Sequence, residues 1–191
     1  MTSISTKQHG NFMIEFAIVG IFFAMLLVFS ADIVIKLSTK GKLDRLSYSI
    51  ANVIKERTQL FGESDSSDDD YEVSDSQAKE AYIITVNSLK RTVHNFDSSQ
   101  FGFDLKVRQR SDYGTGDQLV DVADWNSTEK GISGANCEGA VPDKELIFQT
   151  SWGRSSTVYQ VTLCYDTVNW FGELVGKDFS TIAVSSLAIG R

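Results

Sequence analysis

Glu15 is the one charged side chain in an apolar run that extends from Phe12 to Ala31. A charge at the centre of a bilayer costs at least about 2.5 to 3.5 kcal/mol on insertion scales. A carboxylate in such a place is therefore a functional candidate with a partner to be named, unless it lies at the interface one turn from the helix start. Asp32, at the far end of the run, is read as a helix-end residue in the headgroup layer. Cys137 and Cys164 form the second candidate pair. In an oxidising compartment they close a loop worth roughly 3 to 4 kcal/mol by chain entropy. In a reducing one they are two buried thiols.

Other chemistry-bearing residues carry weaker signals. Asp65, Asp68, Asp69, Asp70, Glu72 and Asp75 crowd one stretch without a base. They lack the ordered alternation, glycine and bidentate glutamate of a calcium loop, so a solvated linker is the reading. The single stretch Asp112 to Asp117 is read as a glycine turn. His94 has no histidine or carboxylate motif around it, and two cysteines alone make no structural zinc site. Asn126-Ser127-Thr128 is a formal glycosylation sequon, and Trp125, Trp152 and Trp170 are read as core or rim residues. No catalytic constellation and no cofactor site emerge. A net charge of -7 argues against an electrostatic nucleic-acid partner.

Three kinds of element must position these residues. The first is the apolar run, about 24 residues with its flanks, or roughly 36 Å as a helix against a bilayer core near 30 Å. It is apolar all round, unlike the one-sided stripe of a surface helix. Phe29-Ser30-Ala31 is a poor signal-cleavage site, so a membrane anchor in the lipid bilayer is expected rather than a removed signal. Lys7 lies before the anchor but Lys36, Lys40, Lys42 and Arg45 follow it, so charge counting leaves the orientation open.

The second element continues the first. Leu43, Leu46, Ile50, Val53 and Leu60 recur at steps of three and four, with Arg57 at the break and Ile54 and Phe61 widening the stripe. No proline interrupts Asn11 to Phe61; Gly41 is a candidate kink and Gly62 a candidate cap. The stripe is expected to pack on the protein's own domain, with a coiled-coil seam as the alternative. The third element is that domain. Ser74 and Gln77 form a capping box for a helix to Lys90 or Val93, with Ala78, Ala81, Tyr82, Thr85 and Leu89 on one face. Phe101, Phe103, Leu105 and Val107 alternate as a strand; Val158, Val161 and Leu163 do so in part, and Ile147 with Thr150 less cleanly. Thr181 to Ile189 is rich in β-formers but compatible with a helix. The expected class is α+β, with an antiparallel sheet.

Gly10, then Asn11 to Ile14, then Glu15, Phe16 and the long apolar helix resemble the leader and cleavage region of type IV prepilins. The similarity is to the short-leader branch serving tight-adherence (Flp) pili. That branch has glycine before the cut, glutamate at the fifth mature position and an aromatic at the sixth. Phe16 stands where the major pilin usually has tyrosine, and the chain is far longer than a major Flp pilin. Both departures point to the pseudopilins TadE and TadF. The runs Ala31 to Leu37 and Lys42 to Ser49 are more similar to TadF. The resemblance covers roughly residues 10 to 62.

The resemblance implies a prepilin peptidase (TadV-like) cutting between Gly10 and Asn11, which makes the chain a substrate and not an enzyme. It implies a cytoplasmic N-terminus in the bacterial inner membrane and a periplasmic C-terminal domain. It also implies partners: other Tad pilins and pseudopilins (Flp, TadE-like) and the inner-membrane assembly platform. The expected layout is a leader at 1–10, a transmembrane helix at 11–36, its extension at 37–62, an acidic linker at 63–76 and an extracytoplasmic α+β domain at 77–191. The alternatives are a pseudopilin of a type II-like secretion system and an uncleaved membrane-anchored periplasmic domain.

Overall fold

The computed structural model describes residues 9–61, 73–110, 119–148 and 156–190. The chain divides into two compact units, Met1–Leu37 with Val168–Ser180, and Ser38–Thr167 with Thr181–Arg191. Helix α1 spans His9–Phe61 and keeps helical backbone through Gly41. Nothing lies within 4 Å of the place a Gly41 side chain would occupy. Gly62 and the acids from Asp65 to Glu72 fall outside the described residues, as do Asp112 to Asp117, Thr150 and Trp152.

In the second unit α1 buries Leu43, Ser47, Ile50, Ala51 and Ile54, with Leu46 partly buried. Val53 is half-exposed, contrary to the expected stripe. A straight helix turns every 3.6 residues, so its inner face drifts away from a strict seven-residue repeat. The drift moves Ala51 and Ile54 inward where a supercoiled seam would have placed Val53. These residues join the protein's own core cluster, with Phe103, Leu163 and Val184. Ser47 Oγ meets Ser186 Oγ at 2.7 Å within that contact.

Helix α2 spans Asp75–Thr92. Ser74 Oγ accepts from the Gln77 N–H, and Gln77 Oε1 accepts from the Ser74 N–H at 3.1 Å, closing the capping box. Arg57 also donates to Gln77 Oε1, tying α1 to this cap. Ala78, Ala81, Thr85, Val86 and Leu89 are the buried face.

Four strands form one antiparallel sheet in the order β2-β1-β3-β4: β1 Phe101–Arg110, β2 Leu119–Asn126, β3 Thr157–Asp166 and β4 Thr181–Gly190. The α+β class is thus the observed one. Thr181 to Ile189 is a strand, while Ile147 follows a short 3-10 turn, Lys144–Leu146, and is not in a strand. The β1–β2 register shifts after Val107, where Arg108 pairs with Asp121 and skips residue 122.

Register assigns the two faces, because alternate residues point to opposite sides. Phe101, Phe103, Leu105 and Val107 share a face with Tyr165, Leu163, Val161 and Tyr159. That face belongs to the core cluster with the helices. Gly102, Asp104 and Arg108 point the other way, with Cys164, Thr162 and Gln160. Residues 134–142 cover this second face. Gln160 Nε2 donates to Ala140 O at 2.6 Å and Arg108 Nη1 to Pro142 O at 3.1 Å. Both faces are therefore covered, which is why β3 is buried along nearly its whole length.

Candidate functional site

The residues singled out in the sequence fall in two places. Gly10 and Asn11 lie in the first turn of α1, and Glu15 and Phe16 follow within the next two turns. Phe12 and Phe16, four residues apart, stack with ring centroids 6.4 Å apart, as (i, i+4) neighbours on a helix do. From Phe12 to Ala31 every residue is exposed except the partly buried Val28. Phenylalanine, isoleucine and leucine point outward on all sides, Leu27 at 72% exposure. Water is a poor solvent for such a surface, whereas lipid or neighbouring apolar helices satisfy it. The helix Phe12–Arg57 is long and apolar enough to cross a membrane.

Where the apolar run ends, the surface changes. Asp32 is buried and accepts from Lys36 Nζ at 2.6 Å, an (i, i+4) ion pair on α1. The ion pair gives the Asp32 charge a partner on its own helix and leaves its reading as a helix-end residue untouched. In the same unit Phe171 packs its ring on Phe29, centroids 4.7 Å apart. Phe171 belongs to helix α3, Trp170–Val175, which Gly176 ends in the left-handed conformation (φ 69°) with Lys177 N–H donating to Gly172 O. The Ser180 side chain and N–H, then Lys36, hold the Asp178 carboxyl below the usual carboxylate range.

The second place lies in the other unit. Cys137 and Cys164 are joined by a disulfide, Cα to Cα 5.4 Å. The bridge fastens the covering segment to β3. Gly102 leaves room for it: a Cβ there would stand 2.4 Å from Ala135 O and 2.6 Å from Cys137 Cβ. Beside the bridge Asp104 is buried. Its Oδ1 accepts from Asn126 Nδ2 at 3.1 Å and its Oδ2 from the Gly139 N–H at 2.8 Å. Asn126 Nδ2 also donates to Cys137 O. The formal sequon asparagine is thus a buried clamp residue. Trp125 is in the core, Trp170 is exposed, and His94 is exposed. Among the described residues no group of three or more His, Cys, Asp or Glu could hold a metal ion.

Burial pushes the Asp104 carboxyl up; the Gly139 N–H, Lys106 and Asn126 oppose this, and Asp124 adds to it. The folded domain therefore holds this proton to a higher pH than the unfolded chain does. The stabilisation tied to Asp104 is complete below the ordinary carboxylate value and is lost as pH rises through the raised folded value. Asp104→Asn removes that titration, so the variant loses less stability than the parent across this window. It also leaves one oxygen for two donors, costing about 1 to 3 kcal/mol. Urea unfolding of both proteins in detergent, at mildly acidic and neutral pH, measures the two effects.

Sequence reasoning missed the Asp104–Asn126 clamp and α3. Asp104 stands at a polar alternate position of β1, on the face away from the helices, so no local signal marked the first. The short apolar stretch Val168 to Phe179 was the signal for the second. Searches of curated proteins and of solved structures gave no match. A family model does match: TadF, tight adherence pilin protein F, over residues 3–191. A pilin family and an N-terminal apolar helix of this length together fit a membrane-anchored protein. The match takes in nearly the whole chain, well beyond the N-terminal stretch that carried the resemblance, and the chain belongs to the TadF family of tight-adherence pilins.

Proposed function

We propose that this chain is a minor pilin or pseudopilin needed to assemble a tight-adherence (Flp, type IVb) pilus, and through it supports surface adhesion and biofilm formation. A prepilin peptidase removes the leader between Gly10 and Asn11. The mature helix is held in the inner membrane with its N-terminus at the cytoplasmic face and the disulfide-bridged domain in the periplasm. Its partners are other Tad pilins and pseudopilins and the assembly platform, and its role is structural rather than catalytic. The layout is a leader at 1–10, a transmembrane helix at 11–36, its extension at 37–62, a linker at 63–76 and the exported domain at 77–191.

The observation that carries this reading is the exposed, all-round apolar surface of α1 from Phe12 to Ala31, with Glu15 as its one charge. Such a helix can leave lipid and pack among identical or related helices without changing its surface. The Cys137–Cys164 bridge supports export, because structural disulfides persist in oxidising compartments.

Cleavage would give Asn11 a free α-amino group, mostly cationic at neutral pH. Glu15 of one subunit then faces the Asn11 amine of its neighbour in the fibre. Removing one partner of such a pair in apolar surroundings costs about 3 to 5 kcal/mol. Glu15→Gln is expected to lower the amount of this chain in sheared pili by about tenfold or more, with membrane levels unchanged. The assay is immunoblotting of pilus and membrane fractions. Incorporation at the parent level would remove the basis of the pairing.

A further inference from the structure

We infer that the segment Val168–Ser180, with α3 at its centre, is a second membrane contact that seats in the outer headgroup layer of the same bilayer α1 crosses. The inference rests on the membrane-anchor reading above.

Three observations in one compact unit point to lipid as the occupant. First, the segment exposes Val168, Trp170, Leu174, Val175 and Phe179, five large apolar side chains within twelve residues. An exposed patch of this density marks an interaction surface. Second, depth is fixed by Phe171. Its ring packs at a tilt against Phe29, 4.7 Å between centroids. About 20 helical residues span the hydrocarbon core, so a core entered at Phe12 is left near Ala31. Phe29 lies in the last turn before that exit, and α3 is held beside it. The apolar surface of α3 is thereby continuous with that of the anchor.

Third, a polar layer follows immediately. The Asp32–Lys36 pair lies one to two turns beyond Phe29, and Lys177, Asp178 and Asn169 flank α3. Tryptophan and lysine beside an apolar body are the composition of the membrane–water interface, where one end of a side chain is wet and the other is not. Apolar residues buried shallowly with charges at the rim describe an interfacial helix, which lies in the membrane plane rather than crossing it. A contact of this kind would fix the height and rotation of α1 at its outer end, which a lone helix leaves to tilt.

The test uses full-length protein in phosphatidylcholine–phosphatidylglycerol vesicles at low protein-to-lipid ratio. One set carries bromine near the glycerol end of the acyl chains, another near the chain ends. Vesicle flotation reports the anchor; tryptophan emission reports the contact. Comparison with Trp170→Phe isolates the signal, since Trp125 and Trp152 contribute equally to both proteins. The expected result is loss of parent emission with the shallow bromines, weaker loss with the deep ones, and a smaller loss with the shallow bromines in Trp170→Phe. A chain that floats while the parent and Trp170→Phe respond alike overturns the inference and leaves the anchor standing. That outcome would make the patch a protein-contact surface. A chain that does not float overturns both.

Discussion

Replacing Cys137 and Cys164 by alanine lowers the stability of the domain by about 3 to 4 kcal/mol and its melting temperature by roughly 10 °C. The two residues are 27 apart in sequence, and closing a loop of that length restricts the unfolded chain by this much on the chain-entropy account. In the folded state, the bridge also decides whether the second face of the sheet stays covered. Without it, the 134–142 segment is held by hydrogen bonds: Gly139 N–H to Asp104, Asn126 to Cys137 O, Thr128 to Ala135 O, Gln160 to Ala140 O and Arg108 to Pro142 O. Asp104 then gains water, and its proton is no longer held above the ordinary range. Chemical unfolding with and without reductant gives the same comparison without mutation. A loss below about 1 kcal/mol by either route would mean that the hydrogen bonds alone hold the segment in place.

The second large effect concerns Gly10. Gly10→Val leaves the chain as an uncut precursor in cells that have the peptidase, and removes it from the pilus fraction. A protease must bring its catalytic groups against the backbone at the cut. Glycine leaves that approach open, whereas a β-branched side chain stiffens the residue and obstructs it. The uncut chain also lacks the Asn11 amine, so Glu15 has lost the partner assigned to it. Gly10→Val and Glu15→Gln should therefore not add: once the amine is missing, losing the carboxylate costs little more. Gel mobility and pilus immunoblots of the single and double variants measure this. A Gly10→Val chain cut at the parent level would place the processing elsewhere.

Much of this architecture was legible before the structure. An unbroken apolar run without proline writes α1 plainly, and the Ser74–Gln77 capping box marks the start of α2 to the residue. Phe101 to Val107 alternates cleanly because Gly102, Asp104 and Lys106 separate the core residues of β1. What was lost shares one cause: it depends on contacts far apart in sequence. β2 went unread because Asp121 and Asp124 interrupt its apolar residues, which an edge strand tolerates. The inner face of α1 was misplaced at Val53 because Ser47 and Ala51 do not stand out as apolar knobs, yet both are buried. Thr181 to Ile189 stayed ambiguous until its pairing with β3 decided it. The reading of Gly10 to Phe16 as a processing site rests on resemblance alone. The Asp104–Asn126 clamp and the Phe29–Phe171 contact needed coordinates, since each joins residues that no local pattern connects.

The account turns on whether the chain is cut to begin at Asn11 or keeps Gly10 and the leader before it. Determining the N-terminal residue of the membrane-extracted parent protein, from cells with and without the prepilin peptidase, tests this most directly. The account predicts a chain beginning at Asn11 when the peptidase is present and a chain that retains Gly10 and the preceding leader when it is absent. The same uncut N-terminus in both would contradict it.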